Sequence, residues 1–177
     1  MKNFYFLFVI FSIFTSCHRD YDKNVDTDTL PAATQTGART GGAIIDGKVW
    51  VATKNYTNDG PGIHTYCEKI KDRTYIKIYL KGIKDNNSIY ISYQADHFEL
   101  NKTYTITPNN GESDNTIYFS RSLDDIFYNT KYDCKLKITR LDLENQIVSG
   151  TFELKLNRYA GEGIINIVEG RFDKKFD

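Results

Sequence analysis

No sign of charge prevails in this chain: 23 Lys and Arg stand against 23 Asp and Glu. Recognition of nucleic acid calls for a clustered basic excess, and none is present, so that class of partner is excluded. Proline is scarce, at three residues, and there is a single tryptophan. No apolar run approaches the roughly 20 residues needed to span a bilayer as a helix. A Gly-rich phosphate loop, a Gly-x-Ser-x-Gly elbow and a His-Glu-x-x-His helix are all missing. So are the closely spaced Cys pairs of zinc modules. These absences remove the usual signatures of catalysis. The expectation is a protein that is not an enzyme and that takes no metal and no cofactor.

What is present begins with an apolar stretch, Phe4 to Phe14, behind Lys2 and ahead of Thr15-Ser16-Cys17. A basic tip, a short apolar core and small residues before a cut site read as a secretory signal over 1–16. Phe14-Thr15-Ser16-Cys17 resembles a bacterial lipobox, with Phe14 in place of the usual Leu. That resemblance implies a diacylated Cys17 at the new N-terminus. One acyl chain anchors only marginally and two anchor stably, so the expected membrane attachment is through lipid on Cys17. Setting Lys2 aside leaves 22 basic against 23 acidic groups on roughly 160 residues, a normal size for one domain.

The cysteines come out evenly. With Cys17 assigned to lipid, Cys67 and Cys134 remain, and an even remainder in an exported chain points to a disulfide. The alternative is two separate buried thiols. His64, Cys67, His97 and Cys134 include the residue types of a zinc site or of a Cys–His nucleophile pair, but no local spacing supports either. On a strand, residues three apart face opposite sides, which sets His64 against Cys67. Asp124 and Asp125 are adjacent acids of the solvated kind. An unrecognised hydrolase stays as the third reading of the chain.

From His18 to about Thr40 the sequence is polar without apolar period, and a lipidated flexible leash over 17–40 is expected. Asp20, Asp22, Asp26 and Asp28 lack the Gly and distal Glu of a calcium loop. Residues 41–177 then read as one antiparallel β domain. Ile44-Ile45, Asp46-Gly47 and Val49-Trp50-Val51 spell a hairpin with a two-residue turn. Trp50 is the expected core anchor. Period-two alternation follows at 74–80, 88–93, 104–106, 116–120, 135–141, 151–156, 164–168 and 171–176, with a bulge or turn at Gly170. Tyr75, Tyr79 and Tyr90 fall on polar faces, where a half-buried ring with a wet hydroxyl fits. Residues 121–129 have near-helical apolar spacing and are expected as a short helix. The fold expected is all-β: a β-sandwich or an open, calycin-like barrel of about 9–10 strands.

Leu30-Pro-Ala-Ala-Thr-Gln-Thr-Gly37 with Asp46-Gly-Lys-Val-Trp50, and later Ser149-Gly-Thr-Phe152 with Gly170-Arg-Phe-Asp173, resemble the opening and closing segments of a family of uncharacterised Bacteroidota lipoproteins. That resemblance implies location and fold only, namely an outer-membrane lipid anchor and a β domain. Asp28-Thr29-Leu30 resembles an O-glycosylation site of exported proteins of that group, on Thr29. The function expected is a lipid-anchored, non-catalytic binding or structural module whose partner is a protein, a glycan or a small apolar ligand. The alternative is a calycin-like cup holding one small ligand, which requires an unfilled interior. Both chain ends are expected to close the fold together, with the leash dispensable and the last strand not.

Radiolabelled palmitate should be incorporated by the full chain and lost in Cys17→Ala; label retained by the variant would contradict lipidation at this residue.

Overall fold

The computed structural model describes residues 25–57, 60–108 and 115–176. The signal, Cys17 and the leash up to residue 24 lie outside the described residues. The strands are β1 (Ala38–Ile45), β2 (Lys48–Val51), β3 (Tyr56–Thr57), β4 (Gly60–Pro61), β5 (Ile63–Ile70), β6 (Arg73–Lys81), β7 (Ser88–Ala95), β8 (Thr103–Ile106), β9 (Thr116–Ser122), β10 (Asp125–Tyr128), β11 (Cys134–Asp142), β12 (Ile147–Arg158) and β13 (Ile164–Lys175). Eleven of them form one antiparallel sheet in the order β2-β1-β13-β12-β10-β9-β7-β6-β5, with β11 between β12 and β8; β3 and β4 pair separately.

The sheet is not closed into a barrel. It bends until the end of β2 meets the end of β6 at one corner, where Thr53 N donates to Lys81 O (2.7 Å) and Ile83 N to Val51 O (3.0 Å). The inward face is continuous. Ile76, Ile78, Leu80, Ile89, Ile91 and Ile117 from one half, and Leu136, Ile138, Val148, Leu154 and Ile165 from the other, belong to one buried cluster. Those side chains occupy the space a ligand cup would need.

The opening turn has the geometry its sequence requires. Asp46 and Gly47 both take positive φ, 47° and 81°, as a type I′ turn demands. Trp50 is buried, and its Nε1 donates to Asn87 Oδ1 at 2.6 Å. The closing segment is one strand rather than two. At Glu169 (φ 51°) the register of β13 slips against both β1 and β12, which makes a bulge ahead of Gly170.

Beyond the bulge, two closing segments lock together residue by residue. Ser149 faces Asp173, Gly150 faces Phe172, Thr151 faces Arg171 and Phe152 faces Gly170. Each Phe lies over the opposite Gly. A Cβ on Gly170 would lie 2.2 Å from the Phe152 ring, and one on Gly150 would lie 2.8 Å from the Phe172 ring and 2.4 Å from Lys137 O. Glycine is thus required at both places by close approach. Each buried Phe contributes about 1.5–3 kcal/mol.

Asp173 completes the lock. It is 1% exposed, and its carboxylate accepts from Ser149 Oγ (2.7 Å), Thr34 Oγ1 (2.6 Å) and the backbone N–H groups of Thr36 (3.0 Å), Gly37 (2.8 Å) and Ala38 (3.0 Å). Burial pushes its pKa up, but the hydrogen bonds from Ser149, Thr34, Ala38 and Gly37 together outweigh it, and the net pKa lies below the ordinary value. Arg140 Nη1 donates to Gln35 O (2.6 Å) and so fastens the same segment from β11.

Two expectations are corrected. The leash does not run to Thr40: residues from Pro31 pack on β13, because the polar run 34–38 has an internal carboxylate to satisfy. The helix over 121–129 is instead the β9–β10 hairpin. Its apolar residues go to different places: Leu123 sits 93% exposed at the turn, while Phe127 is buried opposite Phe119. Aromatic cross-strand pairing overrides the local spacing. With β10, β5 and the short β3–β4 pair, the strands outnumber the 9–10 expected.

Asp173→Ala should lower unfolding free energy in urea by about 3–5 kcal/mol, since several buried donors lose their acceptor at about 1–3 kcal/mol each, against a total of about 5–15 kcal/mol. Because the folded pKa is depressed, this stabilisation is present above the unfolded value of about 3.9 and fades as pH falls through the folded one. Deleting residues up to Thr36 should likewise lower the melting temperature. A variant that unfolds like the parent would contradict the lock.

Candidate functional site

The strands β5, β6, β7, β9 and β10 bury their aliphatic residues and turn the alternate positions outward. Those outward positions hold Tyr, Ser, Thr, His and Lys, whose polar ends reach water. Register brings one row of them into line. His64 faces Tyr79, Tyr79 faces Tyr90, Tyr90 faces Tyr118, Tyr118 faces Tyr128, and Tyr128 faces Asn157 on β12. The row crosses six strands. At about 4.8 Å per strand it is roughly 24 Å long.

The rings support one another. Tyr90 stacks on Tyr118 with centroids 5.0 Å apart and planes 21° apart. Tyr118 meets Tyr128 at 5.8 Å, and Tyr128 meets the 77%-exposed Tyr159 at 5.5 Å. Burial and then the phenols of Tyr79, Tyr90 and Tyr128 hold the Tyr118 hydroxyl above its ordinary pKa, so it remains a neutral donor and acceptor. An open depression of about 230 Å³ lies at one end, lined by His64, Tyr66, Lys77, Tyr79 and Tyr90. Another of about 420 Å³ lies at the other, lined by residues that include Lys131, Tyr132, Asn157 and Arg158. Asn157 belongs to both the row and this second depression, where its Oδ1 accepts from Thr130 Oγ1 (2.7 Å).

The residues singled out by sequence fall elsewhere. The expected Cys67–Cys134 disulfide is not formed: both thiols are free. Cys67 lies on β5 opposite Ile76, and Cys134 on β11 opposite Ile106, strands that are not neighbours. Burial pushes both thiols up to about 11, so neither is a thiolate nucleophile near neutrality. Cys67 packs on the core while His64 lines the outward depression. His97 is exposed beyond β7. Among the described residues no group of three or more His, Cys, Asp and Glu gathers as metal ligands would. Asp125 is held by Arg158 (2.7 Å), and Asp124 is exposed in the β9–β10 turn. Thr29 is exposed and donates to Asp26 Oδ2 (2.6 Å). Cys17 lies outside the described residues.

Sequence reasoning placed Tyr79 and Tyr90 outward but missed the row. The available signal was a Tyr at an outward, period-two position of one strand after another. No protein-family model, no curated protein and no solved structure matches this chain. What the face can do is therefore argued from its own chemistry.

Under native conditions at pH 7.5, iodoacetamide should label Cys67 and Cys134 slowly, with the rate rising towards pH 11, and both should label fully once unfolded without reductant. A pair resistant to alkylation until reduced would contradict the free thiols.

Proposed function

We propose that this protein is a lipid-anchored cell-envelope protein whose β domain is a non-catalytic binding module. Its anchor is lipid on Cys17 and its location the outer membrane, as the resemblance to Bacteroidota lipoproteins implies. The observation that carries the binding reading is the row from His64 to Asn157. A bent sheet with a filled core holds a line of amphipathic rings outward. Tyr offers large contact area at small entropic cost, since few torsions are frozen when it binds. The protonated thiols and the separation of His64 from Cys67 support a role without covalent catalysis.

The module sits at the end of a segment that is itself fastened. Asp28 pairs with Lys84 (3.1 Å), and Thr34, Thr36, Gly37 and Ala38 are bound to Asp173. These contacts shorten the expected leash, and a shorter leash keeps the domain near the membrane surface.

Fractionation of cells making the full chain should recover it with the outer membrane, and Cys17→Ala should leave that fraction. A ligand bound by the purified protein should be recovered chemically unchanged after prolonged incubation. Recovery of a cleaved or modified product would overturn the non-catalytic reading.

A further inference from the structure

We propose that the tyrosine row is the binding site of an extended glycan chain, laid across the strands from the His64 depression to the Asn157 depression. This rests on the reading of the domain as a binding module and names its ligand class.

The shape of the site selects an elongated ligand. The row is one side chain wide and roughly 24 Å long, with a depression at either end. A globular protein partner needs about 800 Å² of broad contact with a desolvated apolar centre. A line of half-exposed phenols does not provide such a centre, whereas a linear chain of rings follows it along its length.

The chemistry selects sugars. Sugar rings carry apolar C–H faces and a rim of hydroxyls. Tyr matches both, with an apolar ring and a hydroxyl that donates and accepts. The rows on either side continue the match. Ser92 and Thr116 follow Lys77 across β7 and β9, and Ser88 faces Ser120. The His64 depression is lined by both Tyr79 and Tyr90, and the Tyr90 ring is itself held by stacking on Tyr118. Sites for small rings are typically lined by aromatic side chains with a few polar groups that fix orientation. Lys77 supplies a cation there, over the Tyr66 ring at 5.5 Å, and no carboxylate lines this depression. At the far depression Lys131 and Glu162 both stand, a cation beside a carboxylate. The His64 end therefore favours a carboxylated sugar over a neutral one.

The test uses the purified full-length chain in detergent, with calorimetry and NMR as readouts. The probes are two series from disaccharide to hexasaccharide, a neutral β-1,4-glucan and an anionic α-1,4-linked galacturonate. Affinity should rise by about tenfold or more along at least one series, and the galacturonate hexasaccharide should be the tighter. Its shift perturbations on the parent chain should follow the row. Tyr90→Ala and Tyr118→Ala should each weaken hexasaccharide binding by about tenfold, while Tyr75→Ala, on the same face but off the row, should not. Failure of both hexasaccharides to bind would overturn the proposal, as would a disaccharide bound as tightly as the hexasaccharide, or shifts centred away from the row. These outcomes are read apart from anchoring, so their failure leaves the Cys17 reading standing. A glycan that binds along the row and is then cleaved would overturn the non-catalytic reading and leave this one intact.

Discussion

A single carboxylate, Asp173, is satisfied by segments that lie at opposite ends of the chain. Ser149 reaches it from the neighbouring strand, and Thr34, Thr36, Gly37 and Ala38 reach it from the segment that leads into β1. A buried carboxylate is costly unless its oxygens are filled by donors. Here five donors converge on it, three of them the successive backbone amides of Thr36, Gly37 and Ala38 at the entry to β1. The requirement is mutual: the amides need an acceptor and the carboxylate needs donors. The loop before β1 therefore folds only when β13 is in place.

That constraint ties together three distant stretches of the sequence. Thr-Gln-Thr-Gly, Ser-Gly-Thr-Phe and Gly-Arg-Phe-Asp are separate in sequence and one object in space. The Gly–Phe exchange between Gly150, Phe152, Gly170 and Phe172 sets the register of β12 against β13, and that register puts Ser149 opposite Asp173. A slip of one residue would turn every side chain to the wrong face and separate the carboxylate from its donors. The bulge at Glu169 bends β13, so the same strand can pair with β1 and β12 while the sheet wraps its core. These residues hold the domain shut, and their roles are structural.

The face proposed for recognition depends on this closure at one remove. Asn157, at the far end of the tyrosine row, lies on β12, which β13 fixes on its other side. The remaining rings sit on β5, β6, β7, β9 and β10, whose inward Ile and Phe residues share the core with β11, β12 and β13. The row is straight because the strands beneath it pair without a register shift from β5 through β9. Local signals made part of this legible. The Asp46-Gly47 turn, Trp50 and the alternation in β6, β7, β11 and β12 can all be read within a few residues. The segment 31–38 could not, because its order comes from a carboxylate more than a hundred residues away. The β9–β10 hairpin was hidden by apolar residues that imitate helical spacing, and only the pairing of Phe119 with Phe127 resolves it. The tyrosine row is a product of register, which no single stretch of sequence contains.

Hydrogen exchange at the amides of Thr36, Gly37 and Ala38 tests the closure most directly. If Asp173 holds the two chain ends together, these amides exchange only through global unfolding in the parent, as slowly as those at the centre of β12 and β13. In Asp173→Asn they should exchange first while the sheet remains protected. Amides at 36–38 that exchange at free-peptide rates in the parent, with β13 fully protected, would contradict the account.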